Sequence, residues 1–100
     1  MGTRLDLHNE LLAFAPNAYY QPPSSIRMKY PCFVYHLLAI PAEYADNIRY
    51  KSYMKYLITY ICEKPEDARI AEIVDHFRYC RFDRHYVADN LHHYTFELFY

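Results

Sequence analysis

The stretch YCRFDRHYVADNLHHYTFELFY, residues 79 to 100, decides the fold class. In its second half His92, Tyr94, Phe96, Leu98 and Tyr100 alternate with Leu91, His93, Thr95, Glu97 and Phe99, which is the period of two that a strand requires. Ala88-Asp89-Asn90 supplies a turn, because Asp and Asn tolerate the left-handed backbone that tight turns need. Glycine cannot serve there, since the only one in the chain is Gly2. Residues 79 to 100 therefore read as a strand, a turn and a second strand.

Upstream of this pair lies EKPEDARIAEIVDHF, 63 to 77. Ile70, Ile73, Val74 and Phe77 fall at helical spacing, Pro65 suits the first helical position, and Glu66 with Asp67 favours the positive end of the dipole. A helix over 65 to 77 follows. Before it, SYMKYLITYIC predicts a strand over 52 to 62, with Met54, Tyr56, Ile58, Tyr60 and Cys62 toward the core. CFVYHLLAI, 32 to 40, is apolar apart from His36 and ends at Pro41, as a strand covered on both faces would. The 41 to 51 segment between these strands is a long polar link.

At the N-terminus Thr3 and Asp6 form a shortened capping box, and Leu5, Leu12 and Ala15, with Leu11 and His8 nearby, predict a helix over 4 to 14 that Pro16 ends. AYYQPP is a short extended piece, and SSIRMK an edge strand or extended loop. The order α-β-β-α-β-β makes this an α+β chain. One domain over 1 to 100 is expected, with an antiparallel sheet of about four strands and both helices on one face.

Composition bounds the function. One hundred residues with 53% hydrophobic and 23% charged side chains suit one globular core. A net charge of −1 with no basic block argues against sequence-specific nucleic-acid binding. The missing glycines exclude phosphate-cradling loops of the P-loop and dinucleotide kinds. Asp6 stands where a myristoylation signal needs Ser or Thr, and no window reaches the roughly 18 apolar residues of a membrane span. The chain reads as soluble and intracellular, and Cys32, Cys62 and Cys80, without a CxxC, as reduced apolar residues.

The best case for chemistry is His85, His92 and His93 with Asp83 and Asp89 as orienting carboxylates, since a catalytic zinc takes three protein ligands. Adjacent His92 and His93 must point to opposite faces of one strand, so only one of them can join His85. Cys80 and His85 fall on opposite faces of a regular strand, and Ser24 with Ser25 follows a proline pair, so no nucleophile stands beside a base. No catalytic residue, metal ligand or cofactor is assigned. Thirteen tyrosines, more than one small core uses, favour an assembly surface.

Three segments carry a resemblance: QPPSSIRMKYPC within 20 to 32, YADNIRY at 44 to 50, and CRFDRHYVADNLHHYTFELFY at 80 to 100, of which FDRHYVADNLHH is the most specific. Over about 20 to 100 the chain resembles the head-to-tail joining proteins of siphophages, within them the tail-completion or tail-terminator family. His93-Tyr94 departs from that pattern, which more usually has an acidic residue there. The resemblance implies a viral structural protein, not an enzyme, that assembles in the host cytoplasm and resides in the virion neck. It implies a homo-hexameric ring capping the tail tube, with the major tail tube protein and a head-closure protein as partners and the genome passing the lumen. No membrane partner is implied. The surfaces expected to meet neighbours are Glu43, Tyr44, Asp46, Asn47, Arg49 and Tyr50 in the link, and Arg84, His85 and His92 in the hairpin. A head-closure or adaptor protein of the neck, a small regulatory protein, and a metal-dependent hydrolase using His85, His92 and an aspartate are the alternatives.

Overall fold

Asp89 and Asn90 take positive φ of 52° and 62°, a two-residue turn that closes strands Tyr79–Ala88 and Leu91–Phe99 into the hairpin that the alternation predicts. The computed structural model describes residues 3–23, 25–39, 54–65 and 67–100. Among these the elements are α1 (Arg4–Leu11), β1 (Asn17–Tyr20), β2 (Cys32–Ala39), β3 (Lys55–Cys62), α2 (Asp67–His76), β4 (Tyr79–Ala88) and β5 (Leu91–Phe99). The five strands form one sheet in the order β1-β2-β3-β5-β4. This is an α+β fold with one strand more than expected.

Pairing is antiparallel except at one edge, where β1 runs parallel to β2. The sequence expectation of hairpin pairing fails there because residues 21–31 cross back instead of turning. Pro22, Pro23 and Pro31 remove backbone donors from that crossover, and its described residues, Ser25 to Lys29 among them, form no strand. Tyr19 Oη accepts from the Lys29 amide at 3.1 Å and Asn17 Nδ2 donates to the Pro31 carbonyl at 3.3 Å, tying the crossover to β1.

Both helices pack on one face of the sheet. Leu7 and Leu11 of α1 and Ile73 with Phe77 next to α2 join Phe33, Tyr35, Tyr56, Ile58, Tyr60, Cys62, Tyr94, Phe96 and Leu98 in one core. The alternation expected for β3 holds. The Thr3–Asp6 capping box also forms, with the Asp6 amide donating to Thr3 Oγ1 at 3.2 Å and the Thr3 amide to Asp6 Oδ2 at 3.1 Å.

Two expectations are corrected. Leu5 and Leu12 are exposed, and the buried stripe is Leu7, Leu11 and Ala15. Leucines line both sides of this helix, which ends at Leu11, and the side chosen is the one whose neighbours Arg4 and His8 reach Tyr35. Tyr35 Oη accepts from Arg4 Nη1 at 3.3 Å and is hydrogen-bonded to His8 Nδ1 at 2.6 Å. The second correction concerns β2, which is covered on both faces only near Cys32; His36 and Leu38 are exposed on the face away from the helices. No described helix is long and apolar enough to cross a membrane.

Candidate functional site

Register along β4 locates the candidate surface. Phe82 pairs with Phe96 and Arg84 with Thr95, so Asp83 is an extra residue, a β-bulge. Thr95 explains why it sits there. Its buried hydroxyl accepts from the Arg84 amide at 3.1 Å and lies 3.0 Å from Asp83 Oδ2, to which it donates. A strand hydroxyl thus binds the backbone and side chain of the two residues that oppose it.

The bulge re-sorts the strand. Cys80 and Phe82 oppose the core residues Leu98 and Phe96, while His85 opposes Tyr94, so all three side chains share the helix face with Val87. Arg81, Arg84 and Tyr86 oppose Glu97, Thr95 and His93 on the open face. The expectation that Cys80 and His85 lie on opposite faces, which assumed a regular strand, is corrected by that one inserted residue. They share a face without forming a reactive pair, because they oppose Leu98 and Tyr94, four residues apart on β5. Burial pushes the Cys80 thiol up to about 11, which keeps it protonated and poorly nucleophilic at neutral pH.

The three histidines divide as adjacent strand positions must. His85 Nε2 lies 3.0 Å from His92 Nδ1, and their rings are 5.2 Å apart at 11°. That separation is the N···N contact plus the two ring radii, so the imidazoles meet edge to edge in nearly one plane. His85 also stacks on Tyr94 at 4.5 Å. His93 stands on the other face, stacked on Tyr86 at 4.7 Å. Of the hairpin residues singled out in the sequence, the structure brings His85 and His92 together and sends Arg84 to the opposite side. Among the described residues no three His, Cys, Asp or Glu side chains gather as a metal-ligand set. Glu43, Tyr44, Asp46, Asn47, Arg49 and Tyr50 lie outside the described residues, as do Ser24 and Glu66.

β4 ends the sheet on its outer side, and every residue from Arg81 to Asn90 is exposed. Met54 and Tyr100 exchange both backbone hydrogen bonds at 3.0 Å, which fixes the phase of the whole ladder. Counting outward by the antiparallel alternation, Tyr79, Arg81, Arg84, Tyr86 and Ala88 point their N–H and C=O groups at β5. Phe82, His85 and Val87 then aim theirs off the edge of the sheet.

Grooves flank this edge on both faces. On the helix side a groove of about 530 Å³ runs between α2 and β4, lined by Ile70, Val74, Asp75, Phe82, His85 and Tyr94. On the open side a cleft of about 460 Å³ is bordered by Lys55, Arg78, Arg81 and Glu97 with the rings of Tyr79 and Phe99. Glu97 accepts from Lys55 at 3.1 Å and Arg81 at 3.2 Å, and these cations, the Lys55 hydrogen bond first, hold its carboxyl below the usual range.

A second polar cluster, at the ends of α1, α2 and β5, escaped sequence reasoning. Glu10 Oε1 accepts from His76 Nε2 at 2.8 Å while Oε2 accepts from the Tyr100 hydroxyl. Burial first, then the Glu10 carboxylate, pushes the Tyr100 phenol up. Both oxygens of Glu10 are engaged, so the cluster acts as a clamp across three elements. Residues 10 and 100 share no local pattern that could have announced it. No protein-family model matches the chain, and no curated protein or solved structure matches it either.

Proposed function

We propose that this chain is a structural assembly protein of a tailed phage, a subunit that rings the end of the tail tube, ends its growth and joins the tail to the neck. The observation that carries the reading is the exposed outer strand β4. Three of the chain's large exposed apolar side chains, Phe82, Tyr86 and Val87, cluster there with Arg81 and Arg84. Aromatic and arginine side chains of this kind are enriched where proteins meet. The same hairpin, 80 to 100, is the segment whose sequence most resembles the tail-completion family. A subunit at the end of the tube must meet other proteins besides its own copies, and a two-faced edge strand supplies a patch for such a partner.

Light scattering on the purified chain, paired with immunogold labelling of phage particles, tests this. The expected result is a closed oligomer of one size and label at the junction of tube and neck. Label beside the portal would reassign the chain to head closure or to an adaptor. A strict monomer that is absent from particles would refute the assembly role.

A further inference from the structure

Edge strands are normally blunted by charge or bulges against unwanted pairing. In β4 the bulge does something more selective, because it gives the edge two chemically different sides. On the open face Arg81 and Arg84 are 76% and 73% exposed. With Lys55 and Arg78 beside them, four cations there meet only two carboxylates, Glu97 and Asp83, among the described residues. On the helix face Phe82 is 42% exposed and Val87 59%, next to the apolar groove against α2. If the same residues ran as a regular strand with Asp83 taking its own place in the ladder, Arg84 would fall on the helix face and His85 on the open face, and neither side would be uniform.

We propose that β4 is the docking edge for an extended strand of a partner protein in which acidic side chains alternate with apolar ones. Such a strand adds to the sheet through the outward N–H and C=O groups of Phe82, His85 and Val87. Its alternation then puts every second side chain over Arg81 and Arg84 and the others into the groove lined by Ile70, Val74 and Phe82. Acidic residues neutralise the excess positive charge, and apolar residues cover the exposed rings. A basic strand is rejected by the same arginines, so the edge discriminates by repulsion as well as attraction. The inference deepens the assembly reading and rests on it only for the existence of a protein partner.

The test uses the intact chain and two synthetic octapeptides, one alternating Glu with Val and the other Lys with Val, followed by fluorescence anisotropy. The Glu/Val peptide is expected to bind the natural chain about tenfold or more tighter than the Lys/Val peptide. The double variant Arg81→Glu, Arg84→Glu should reverse that preference. Val87→Pro, which removes an outward donor and leaves the ladder to β5 intact, should weaken binding of the Glu/Val peptide by a similar factor. Circular dichroism confirms that each variant is folded. Equal affinity for the two peptides, no binding of either, or indifference to Val87→Pro would overturn the proposal. So would self-association of the natural chain that the double variant abolishes, which would give the edge to a second copy. A chain that binds the Glu/Val peptide yet is absent from phage particles would sink the assembly reading and leave this one standing.

Discussion

β4 and β5 are two arms of one hairpin, similar in length and in apolar content, and they have opposite fates. β5 lies inside the sheet between β3 and β4, and its Tyr94, Phe96 and Leu98 are buried in the core. β4 lies at the edge, and it is exposed from Arg81 onward. What separates them is position in the strand order together with one inserted residue. An inner strand needs strict alternation because each face has a fixed partner, whereas an edge strand can absorb a bulge and use it to choose which side chains it offers.

The largest expected contrast comes from truncating the cross-strand pair Phe82 and Phe96, whose rings meet edge to face at 5.7 Å. Phe96→Ala opens a cavity in a fully buried position and should cost about 3–5 kcal/mol in urea unfolding. Phe82→Ala should cost less, about 1 kcal/mol, because Phe82 is already 42% exposed. Equal losses would erase the distinction between the arms.

A smaller effect is expected at the residue that shapes the bulge. Thr95→Val keeps side-chain volume but leaves the Arg84 amide and the Asp83 carboxylate without the hydroxyl, at a cost of about 1–2 kcal/mol. The loss should be accompanied by faster amide exchange at Arg84. Unchanged stability and exchange would mean that Thr95 does not hold the bulge.

Much of this contrast was legible in the sequence and its decisive part was not. The period of two over Leu91 to Tyr100 grouped Tyr94, Phe96 and Leu98 on one face of β5, the face that the core covers, because a shared face is what alternation encodes. The same alternation applied to β4 misplaced Cys80 relative to His85. A bulge leaves no mark on the strand that carries it; its cause is Thr95, twelve positions from Asp83 and on the neighbouring strand. The parallel pairing of β1 was hidden similarly, since Asn17–Tyr20 is too short to declare its direction. His92 and His93 were sorted to opposite faces by sequence, and His92 was the one set beside His85; the regular register from the Asp89-Asn90 turn back to His85 brings those two together.

Acidification should produce the smallest effects, one at α1 and one where β5 meets β4. Burial, then the Arg4 guanidinium, lowers the pKa of His8 from its ordinary 6.5. The folded chain therefore binds fewer protons than the unfolded one just below that pH, and stability should begin to fall as pH drops below 6.5. Glu97 follows with the same sign. Its stabilisation is present above the ordinary carboxylate value of 4.5 and is lost as pH falls through its lowered folded value. Glu97→Gln should remove the second step and cost on the order of 0.5 kcal/mol at neutral pH, as partly exposed ion pairs do. Urea titrations at several pH values, with and without the substitution, would register both steps; stability flat from pH 7 to 4 would contradict them.

The central claim is that one bulge at Asp83 sorts the outer strand into two chemically distinct sides, and residue-resolved amide hydrogen exchange on the isolated chain tests it most directly. The account predicts that Arg81, Tyr86 and Ala88 are protected by β5 while Phe82, His85 and Val87 exchange quickly. Protection at Arg81, Asp83, His85 and Val87 in unbroken alternation would show a regular strand and contradict it.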